Sequence, residues 1–297
     1  MPIQRVAVIG AGTMGNGIAH VCIQNGLDVV LIDVALTALE KAKQVIEKNM
    51  ERQVKKGVLT SEQMTVALQR LQLSTHLSDS VKNCDLVIEA ATEKQTVKET
   101  IFREIDAAAP QHCILATNTS SISITALAAV TNRPDKVIGM HFMNPVPVMK
   151  LVEVINAYQT HVSVTEEILD LSRRLEKIPC VVNDYPGFIA NRILMPMINE
   201  AIHSLYEGVA GVESIDNIMK LGMAHPMGPL QLADFIGLDI CLSILQVLHD
   251  GFGQPKYAPC PLLVNMVKAG KLGVKTGEGF YDYAEGPNER KISSRFL

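Results

Sequence analysis

The sequence predicts an α/β protein in which a doubly wound domain is followed by an all-helical domain. Three observations predict this fold class. Short apolar runs alternate with helical patterns through the first half of the chain, a glycine-rich turn follows the first run, and the strand-like runs largely stop after residues 184–187. Continuous apolar runs, as opposed to alternating ones, are typical of parallel strands that helices cover on both faces.

The predicted strands are short apolar runs without a regular alternation of polar residues. In chain order they are residues 6–9, 29–32, 86–88, 114–116, 137–140, 151–155 and 180–182. Between the second and third runs, apolar residues from Leu36 to Val54 keep near-helical spacing while lysines and glutamates fill the other positions. This pattern predicts a long amphipathic helix. A further helix is predicted over residues 166–175, between the last two strands.

The second half begins at a turn signal, Asp184-Tyr185-Pro186-Gly187. Apolar residues from Phe188 to Leu205 then form a wide helical stripe, which Pro196 is expected to kink. Further helices are predicted over residues 212–221 and 232–249.

The change of pattern places a domain boundary at residue 184. We therefore expect one domain over residues 1–184 and a helical domain over residues 185–297. The polar tail from Glu285 is expected to fray.

Composition narrows the function classes. A net charge of -4 and a pI near 6.1 argue against a nucleic-acid-binding surface. No apolar stretch approaches the roughly 20 residues that span a bilayer, and the early glycine motif leaves no room for a signal peptide. The six cysteines show neither C-x-x-C nor metal-like spacing, so we expect reduced thiols, no metal site and, by elimination, the cytoplasm.

The glycine-rich turn fits the dinucleotide fingerprint G-x-G-x-x-G as Gly10-Ala11-Gly12-Thr13-Met14-Gly15. It follows a strand-like run and opens a helix, which is the context that a Rossmann-type domain requires. In this motif the first glycine permits the tight turn, the second lets backbone amides approach the pyrophosphate, and the third lets helix and strand pack closely. Asp33 ends the next strand and is expected to accept hydrogen bonds from the adenosine ribose. No arginine follows it, which favours NAD over NADP.

Polar residues follow or interrupt the later strands. Ser120 lies in the loop after residues 114–116, His141 ends the run 137–140, and Glu153 lies within an apolar strand, where an unpaired carboxylate is costly. Because ligands bind at the carboxyl ends of strands in open α/β sheets, these residues are candidates for the base and hydrogen-bond donors of a hydroxyl oxidation. Alternatively, Ser120 caps the following helix and Glu153 forms an ion pair with Lys150.

The chain also contains the segments VAVIGAGTMGNGIA, ATNTSSISIT, GMHFMNPVPVMKLVEV, DYPGFIANRIL, GMAHPMGPLQLADFIGLD and KTGEGFYDY, between Val6 and Tyr283. Together they resemble the 3-hydroxyacyl-CoA dehydrogenase family, and particularly its short bacterial members that act on 3-hydroxybutyryl-CoA. The resemblance implies NAD-dependent oxidation of a short-chain (S)-3-hydroxyacyl-CoA to the 3-ketoacyl-CoA, and the reverse reaction.

The resemblance also implies roles for individual residues. His141 matches the general base, Glu153 the carboxylate paired with it, and Ser120 and Asn191 the polar groups that contact the reacting oxygen and the substrate. Asn191 belongs to the helical domain, so a site in the cleft between the domains is expected. The matched cofactor contacts are Gly10, Ala11, Gly12, Thr13, Met14, Gly15, Asp33, Glu93, Lys98, Ser120, Asn144 and Lys275.

For the coenzyme A portion of the substrate, the resemblance implies a contact from Lys56. Asn49 stands where some relatives have a serine, which puts that second contact in doubt. The neighbouring Lys48, Arg52 and Lys55 either meet the phosphates or form a solvated helix face. The family's assembly implies a homodimer through the helical domain, although the apolar stripe from Phe188 to Leu205 would also suit an intramolecular core.

Two other readings stay open. One is a dehydrogenase of a free hydroxy acid such as gulonate, whose members usually differ in the serine loop and the Gly-Leu-Asp region. The other is a non-catalytic NAD-binding structural protein, of which loss of His141 or Glu153 would have been the signature; both residues are present.

Overall fold

A computed structural model describes residues 3–286 and 290–297. The chain divides into two compact units, one ending at Tyr185 and the other beginning at Pro186.

The first unit is built on an eight-stranded sheet with the order β3-β2-β1-β4-β5-β6-β7-β8. Its strands are β1 (Arg5–Ile9), β2 (Asp28–Ile32), β3 (Leu71–Ser74), β4 (Leu86–Glu89), β5 (Ile114–Thr117), β6 (Val137–Phe142), β7 (Leu151–Asn156) and β8 (Ile178–Asn183). The first six strands are all parallel in the Rossmann order. Since the order reverses between β1 and β4, a crevice opens at the carboxyl ends of these strands.

Helices cover the sheet as the apolar strand runs predict. They are α1 (Thr13–Gln24), α2 (Leu36–Lys55), α3 (Ser61–Gln69), α4 (Leu77–Ser80), α5 (Gln95–Ala108), α6 (Ile124–Ala128) and α7 (Val162–Arg174). The amphipathic pattern of α2 is confirmed, because Leu39, Ile46 and Met50 are fully buried in a core that also contains strand residues such as Val8 and Leu31. The sequence did not single out α3 or β3. Most side chains of α3 are exposed and only Ala67 is buried, while β3 has four residues and no fully buried side chain, so neither gives a strong apolar pattern.

One pairing differs from the parallel sheet that the apolar runs predict. Strand β7 lies antiparallel to β6 and parallel to β8. Residues 143–150 connect β6 to β7 without a helix, and a parallel crossover needs roughly a dozen residues or more. The chain therefore turns back directly and places β7 beside β6 in the opposite direction. Both strands are buried on both faces, so burial alone does not reveal the direction.

The second unit is mainly helical and has its own core, which includes Met195, Leu230 and Leu245. Its helices are α8 (Ala190–Tyr206), α9 (Val212–Asn217), α10 (Pro229–Ile236), α11 (Leu238–Phe252) and α12 (Pro261–Lys268). The helix expected over residues 232–249 is wrong as a single element: it is broken at Gly237, whose φ of +102° ends α10 and begins α11. The helix expected over 212–221 becomes a π-helical turn from Ile218.

The polar tail was expected to fray, and part of it is instead ordered. Strand β10 (Lys291–Ile292) pairs antiparallel with β9 (Tyr281–Asp282), which adds a small sheet to the unit expected to be all-helical. The Phe296 ring lies 5.8 Å from that of Phe280, so the end of the chain packs on this unit. Residues 287–289 lie outside the described residues. In the part of the chain that the structure describes, no single helix is long and apolar enough to cross a membrane; only the pair α10 and α11, bent by 98°, passes on length and composition.

Candidate active site

The glycine-rich loop lies between β1 and α1, and two of its glycines are required by the fold. Gly10 has a φ of +98°, and a Cβ there would lie 2.6 Å from the Ala90 carbonyl oxygen. A Cβ on Gly15 would lie 1.7 Å from the Gly10 oxygen. Gly12 differs, because a Cβ at this exposed helix N-cap would meet nothing within 4 Å. The N-terminus of α1 thus faces open space, with no acidic residue in its first turn. This arrangement fits a pyrophosphate.

Asp33 follows β2 beside this loop. Its carboxylate accepts hydrogen bonds from the Ala11 amide at 2.8 Å and the Ala35 amide at 3.0 Å. A carboxylate offers about four acceptor positions, so capacity remains for ribose hydroxyls. The neighbouring Val34 is 96% exposed and carries no charge that would attract a second phosphate. The loop and Asp33 therefore fit the adenosine half of NAD.

A buried acid–base pair spans β6 and β7. His141 lies directly opposite Glu153 in the antiparallel register. The His141 Nδ1 atom lies 2.8 Å from Glu153 Oε2, and its Nε2 atom lies 3.0 Å from Ser120 Oγ. Both side chains are buried, with 9% of the imidazole and 3% of the carboxyl exposed. Three of the residues singled out in the sequence thus form one continuous line of contacts.

The direction of these hydrogen bonds follows from what each group is able to donate. An ionised Glu153 only accepts, so Nδ1 of His141 carries the hydrogen atom and Nε2 is the acceptor of a neutral ring. Nε2 is then the atom that takes a proton, and the carboxylate stabilises the imidazolium that results. A Ser–His–carboxylate line of the same kind also activates serine in hydrolases. The geometry therefore suits acid–base chemistry, and the type of reaction depends on which cofactor and substrate bind beside these residues.

The loop that carries Ser120 is fixed by Glu93, which lies between β4 and α5, and by its own residue Asn118. The Glu93 Oε1 atom accepts hydrogen bonds from the Thr119 hydroxyl at 2.5 Å and from the Ser120 amide at 2.9 Å. Asn118 Oδ1 accepts from the Phe142 amide at 2.9 Å, which ties the end of β5 to β6 next to His141. Glu93 and Asn118 together thus fix the serine loop beside His141.

Glu89 is a buried carboxylate near the serine loop that the sequence analysis did not single out. It ends β4 and is completely buried. Both of its oxygens lie 2.8 Å from Lys98 Nζ, and they also accept from the Ala91 amide and the Thr117 hydroxyl, each at 2.7 Å. The signal was a carboxylate at the end of an apolar run, the same signal that indicated Glu153.

The remaining predicted contacts are distributed over both units. In the first unit, Asn144 is exposed in the β6–β7 connection and Lys56 is exposed at the C-cap of α2. Asn49 is half-buried and accepts a long hydrogen bond from Arg52, at 3.4 Å. In the second unit, Asn191 is buried in α8, and Lys275 forms an ion pair with Asp239.

The cysteines and potential metal ligands do not form a second centre in the described residues. Burial raises the pKa of the Cys22 thiol to about 12, which leaves it unreactive at neutral pH. Within residues 3–286 and 290–297, no group of three or more His, Cys, Asp or Glu side chains is arranged to hold a metal ion.

Comparison with known proteins identifies the family to which the chain belongs. Residues 5–185 match the model of the 3-hydroxyacyl-CoA dehydrogenase NAD binding domain, and residues 187–283 match that of the C-terminal domain of the same family. The chain is 56% identical over 281 residues to a 3-hydroxybutyryl-CoA dehydrogenase of Bradyrhizobium diazoefficiens, covering 95% of this chain and 96% of that protein. It is 42% identical to the human mitochondrial hydroxyacyl-coenzyme A dehydrogenase, over 95% of this chain and 91% of that protein.

Solved structures give the same result. The crystal structure of an (S)-3-hydroxybutyryl-CoA dehydrogenase from Ralstonia eutropha superimposes with a TM-score of 0.93 at 50% identity, covering 95% of this chain and 99% of that chain. A diketoreductase superimposes with a TM-score of 0.83 at 30% identity, covering 95% of this chain and all of that one.

Proposed function

Because the chain belongs to the 3-hydroxyacyl-CoA dehydrogenase family, we propose that it oxidises short-chain (S)-3-hydroxyacyl-CoA thioesters to 3-ketoacyl-CoA and catalyses the reverse reduction. It is an NAD-dependent oxidoreductase with a Rossmann-type cofactor domain. The observation that carries the proposed mechanism is the buried line Ser120–His141–Glu153 in the unit that also holds the dinucleotide motif.

In the oxidation, His141 Nε2 takes the proton from the substrate hydroxyl. The loop at residues 10–15 and Asp33 would hold NAD, which would supply the hydride acceptor when bound. Ser120 Oγ is in hydrogen-bonding contact with Nε2 and holds the reacting oxygen beside it. Glu153 keeps the imidazole in the required tautomer and stabilises its charged form. In the reduction, the imidazolium returns the proton to the carbonyl oxygen.

The acyl-CoA substrate is supported by the names of the relatives and by the surface of α2. Lys48, Lys55 and Lys56 are exposed in the last turns of this helix and its cap, and Arg52 lies with them. Such a group of cations suits the phosphates of coenzyme A. Asn49 Oδ1 accepts a long hydrogen bond from Arg52, and the N–H groups of the same amide are able to donate to a substrate without breaking that bond.

A cytoplasmic location and a homodimer are part of the same proposal. The six cysteines are all free, whereas structural disulfides are typical of oxidising compartments. Exposed apolar side chains in the second unit support the dimer, among them Ile193, Ile218, Leu221 and Met223.

The substitution His141→Gln tests the proposed reaction. We expect turnover of acetoacetyl-CoA with NADH to fall by roughly 10²–10⁴-fold, because glutamine keeps a polar side chain but is not a base. Loss of NADH absorbance reports the rate, and fluorescence titration reports NADH binding, which we expect to be retained.

A matched control is His112→Gln, since the His112 ring is 64% exposed and lies before β5, at the opposite end of that strand from the serine loop. This variant should keep wild-type turnover. Near-normal activity of the His141 variant would contradict the mechanism, and turnover of acetoacetate in place of acetoacetyl-CoA would contradict the substrate class.

A further inference from the structure

Glu89 and Lys98 form a buried ion pair to which the proposed reaction gives no chemical step, although the family resemblance matches Lys98 to a cofactor contact. Their side chains are 0% and 1% exposed. Two charges removed from water are costly unless further hydrogen bonds satisfy them. Here the Glu89 carboxylate is satisfied by Lys98, by the Ala91 amide and by Thr117, while Lys98 Nζ also lies 3.5 Å from Glu93 Oε2. Two residues that contact the pair, Glu93 and Thr117, also form hydrogen bonds with the loop that carries Ser120.

One route runs through Glu93. Its side chain is 43% exposed, so packing alone does not hold it in place. Lys98 attracts one of its oxygens, and the other accepts from the Thr119 hydroxyl and the Ser120 amide. Lys98 is itself anchored by both oxygens of Glu89. The position of the Ser120 backbone thus depends on a lysine whose own position Glu89 determines.

A second route runs along β5. Thr117 Oγ1 donates to Glu89 Oε2 at 2.7 Å and accepts from the Thr119 amide at 3.2 Å. Both routes start at the Glu89 carboxylate and end in the loop 118–121, where Ser120 Oγ lies 3.0 Å from His141 Nε2. A displacement of Glu89 is therefore transmitted to this loop from two sides.

We propose that Glu89 is a positioning residue for catalysis: through Lys98 with Glu93, and through Thr117, it fixes the serine loop so that the Ser120 hydroxyl stays in contact with His141. The inference rests on the proposed function, because it assigns Glu89 a share in the same proton transfer. In the absence of the Glu89 charge, Lys98 turns fully towards Glu93 and withdraws that carboxylate from Thr119 and Ser120. Ser120 then loses its alignment while His141 and Glu153 keep theirs.

The test is the variant Glu89→Gln, alone and combined with Ser120→Ala. We expect Glu89→Gln to lower kcat at saturating NADH and acetoacetyl-CoA by about tenfold or more. If Glu89 acts through Ser120, the two changes are not additive, and the double variant should be within about twofold of Ser120→Ala alone. A merely structural defect would reduce kcat by the same factor in either background, and that additive result would overturn the inference.

Asp106→Asn is the matched control, because Asp106 also lies on α5 in a buried ion pair, with Arg133 Nε at 2.7 Å, and its carboxylate otherwise accepts hydrogen bonds from Asn132, outside the serine loop. We expect this variant to unfold at a lower temperature and yet keep kcat within about twofold of wild type when assayed below that temperature. A control that loses as much kcat as Glu89→Gln would show that any buried pair on α5 matters equally, and would overturn the assignment.

Thr117→Val keeps the inference testable if Glu89→Gln does not fold, since valine is nearly isosteric and suits a strand. It removes only the hydroxyl that joins Glu89 to the Thr119 amide. We expect a loss of kcat of about threefold or more that disappears in the Ser120→Ala background; an unchanged kcat would overturn the inference. Failure of the proposed function is recognised separately, because His141→Gln would then remain active whatever the Glu89 variant does.

Discussion

His141 and Glu153 form a cross-strand contact at a position where neighbouring pairs of the same two strands bring apolar side chains together, such as Met140 with Val154. The contact was predictable because each residue interrupts or ends an apolar run, and a polar group there requires a partner. Glu89 carries the same signal but was missed, since its partner Lys98 lies in a helical stretch where lysine is ordinarily solvated. Sequence patterns indicate where a charge is costly, whereas they do not show which distant residue satisfies it.

The variant Glu153→Gln tests the tautomer argument. Glutamine has nearly the same shape but no charge to stabilise the imidazolium, and its amide is able to present a donor to Nδ1. We expect kcat to fall by roughly 10²–10⁴-fold with NADH affinity retained. Measured kcat at saturating substrates checks this expectation. Glu167→Gln, on the exposed face of α7, serves as control and should behave as wild type; a Glu153 variant that retains most of its kcat would contradict the role of the carboxylate.

Among the elements, α10 is held to the segment around β9 by one buried carboxylate. Asp234 accepts hydrogen bonds from the Phe280 and Tyr281 amides and from the Tyr283 hydroxyl, each at 3.0 Å. Burial raises the pKa of Asp234 to about 6, with a smaller contribution from the charge of Asp216, and the hydrogen bonds oppose this rise. The folded protein therefore binds a proton at Asp234 more tightly than the unfolded chain does.

This shift predicts how stability depends on pH. A pKa raised on folding contributes stability below the unfolded value and loses it as the pH rises through the folded value. We therefore expect Asp234 to lower the free energy of unfolding between about pH 4 and pH 6, by roughly 3 kcal/mol in total. Chemical denaturation across this range should show a weaker pH dependence for Asp234→Asn than for wild type. The exposed Asp282→Asn should keep the wild-type dependence, and an identical slope in both variants would contradict the prediction.

Some helices and strands were predictable from the sequence, and others were not. Five of the six parallel strands (all except β3), α2 and the glycine turn were predictable, because each has a strong local pattern. The antiparallel direction of β7 was not, since it depends on the length of a connection rather than on the strand itself. The break at Gly237 was also missed, because the apolar period continues across it while the backbone adopts a positive φ.

The whole molecule presents apolar side chains that its own folding does not bury. In the second unit, Leu221 is 83% exposed, Ile193 67%, Met223 60% and Ile218 59%. Three of these four residues lie within residues 218–223, and exposed apolar side chains grouped in this way are typical of interaction sites. Within the stripe from Phe188 to Leu205, Met195 and Ile198 lie in the core of the second unit, whereas Ile193 is exposed. Part of the stripe is therefore intramolecular core, and another part is accessible to a partner.

We therefore expect a homodimer in solution that depends on this surface. The substitution Leu221→Glu places a charge in the apolar group and should shift the protein towards the monomer by at least about tenfold in the dissociation constant. Sedimentation velocity over a range of protein concentrations measures the shift. Val58→Glu is a control of the same chemistry, because Val58 is 61% exposed in the first unit. A Leu221 variant that remains as dimeric as wild type would place the interface elsewhere.

The hairpin of β6 and β7 has a consequence for how sequences of this kind are free to diverge. Side chains alternate between the two faces of a strand. The imidazole and the carboxylate therefore meet only when the number of residues between each of them and the turn leaves both on the same face of the sheet. Insertions in the connection at residues 143–150 lengthen a loop and leave those numbers unchanged. The removal of one residue inside either strand sends one partner to the opposite face of the sheet. Length variation that preserves the chemistry is thus confined to the turn.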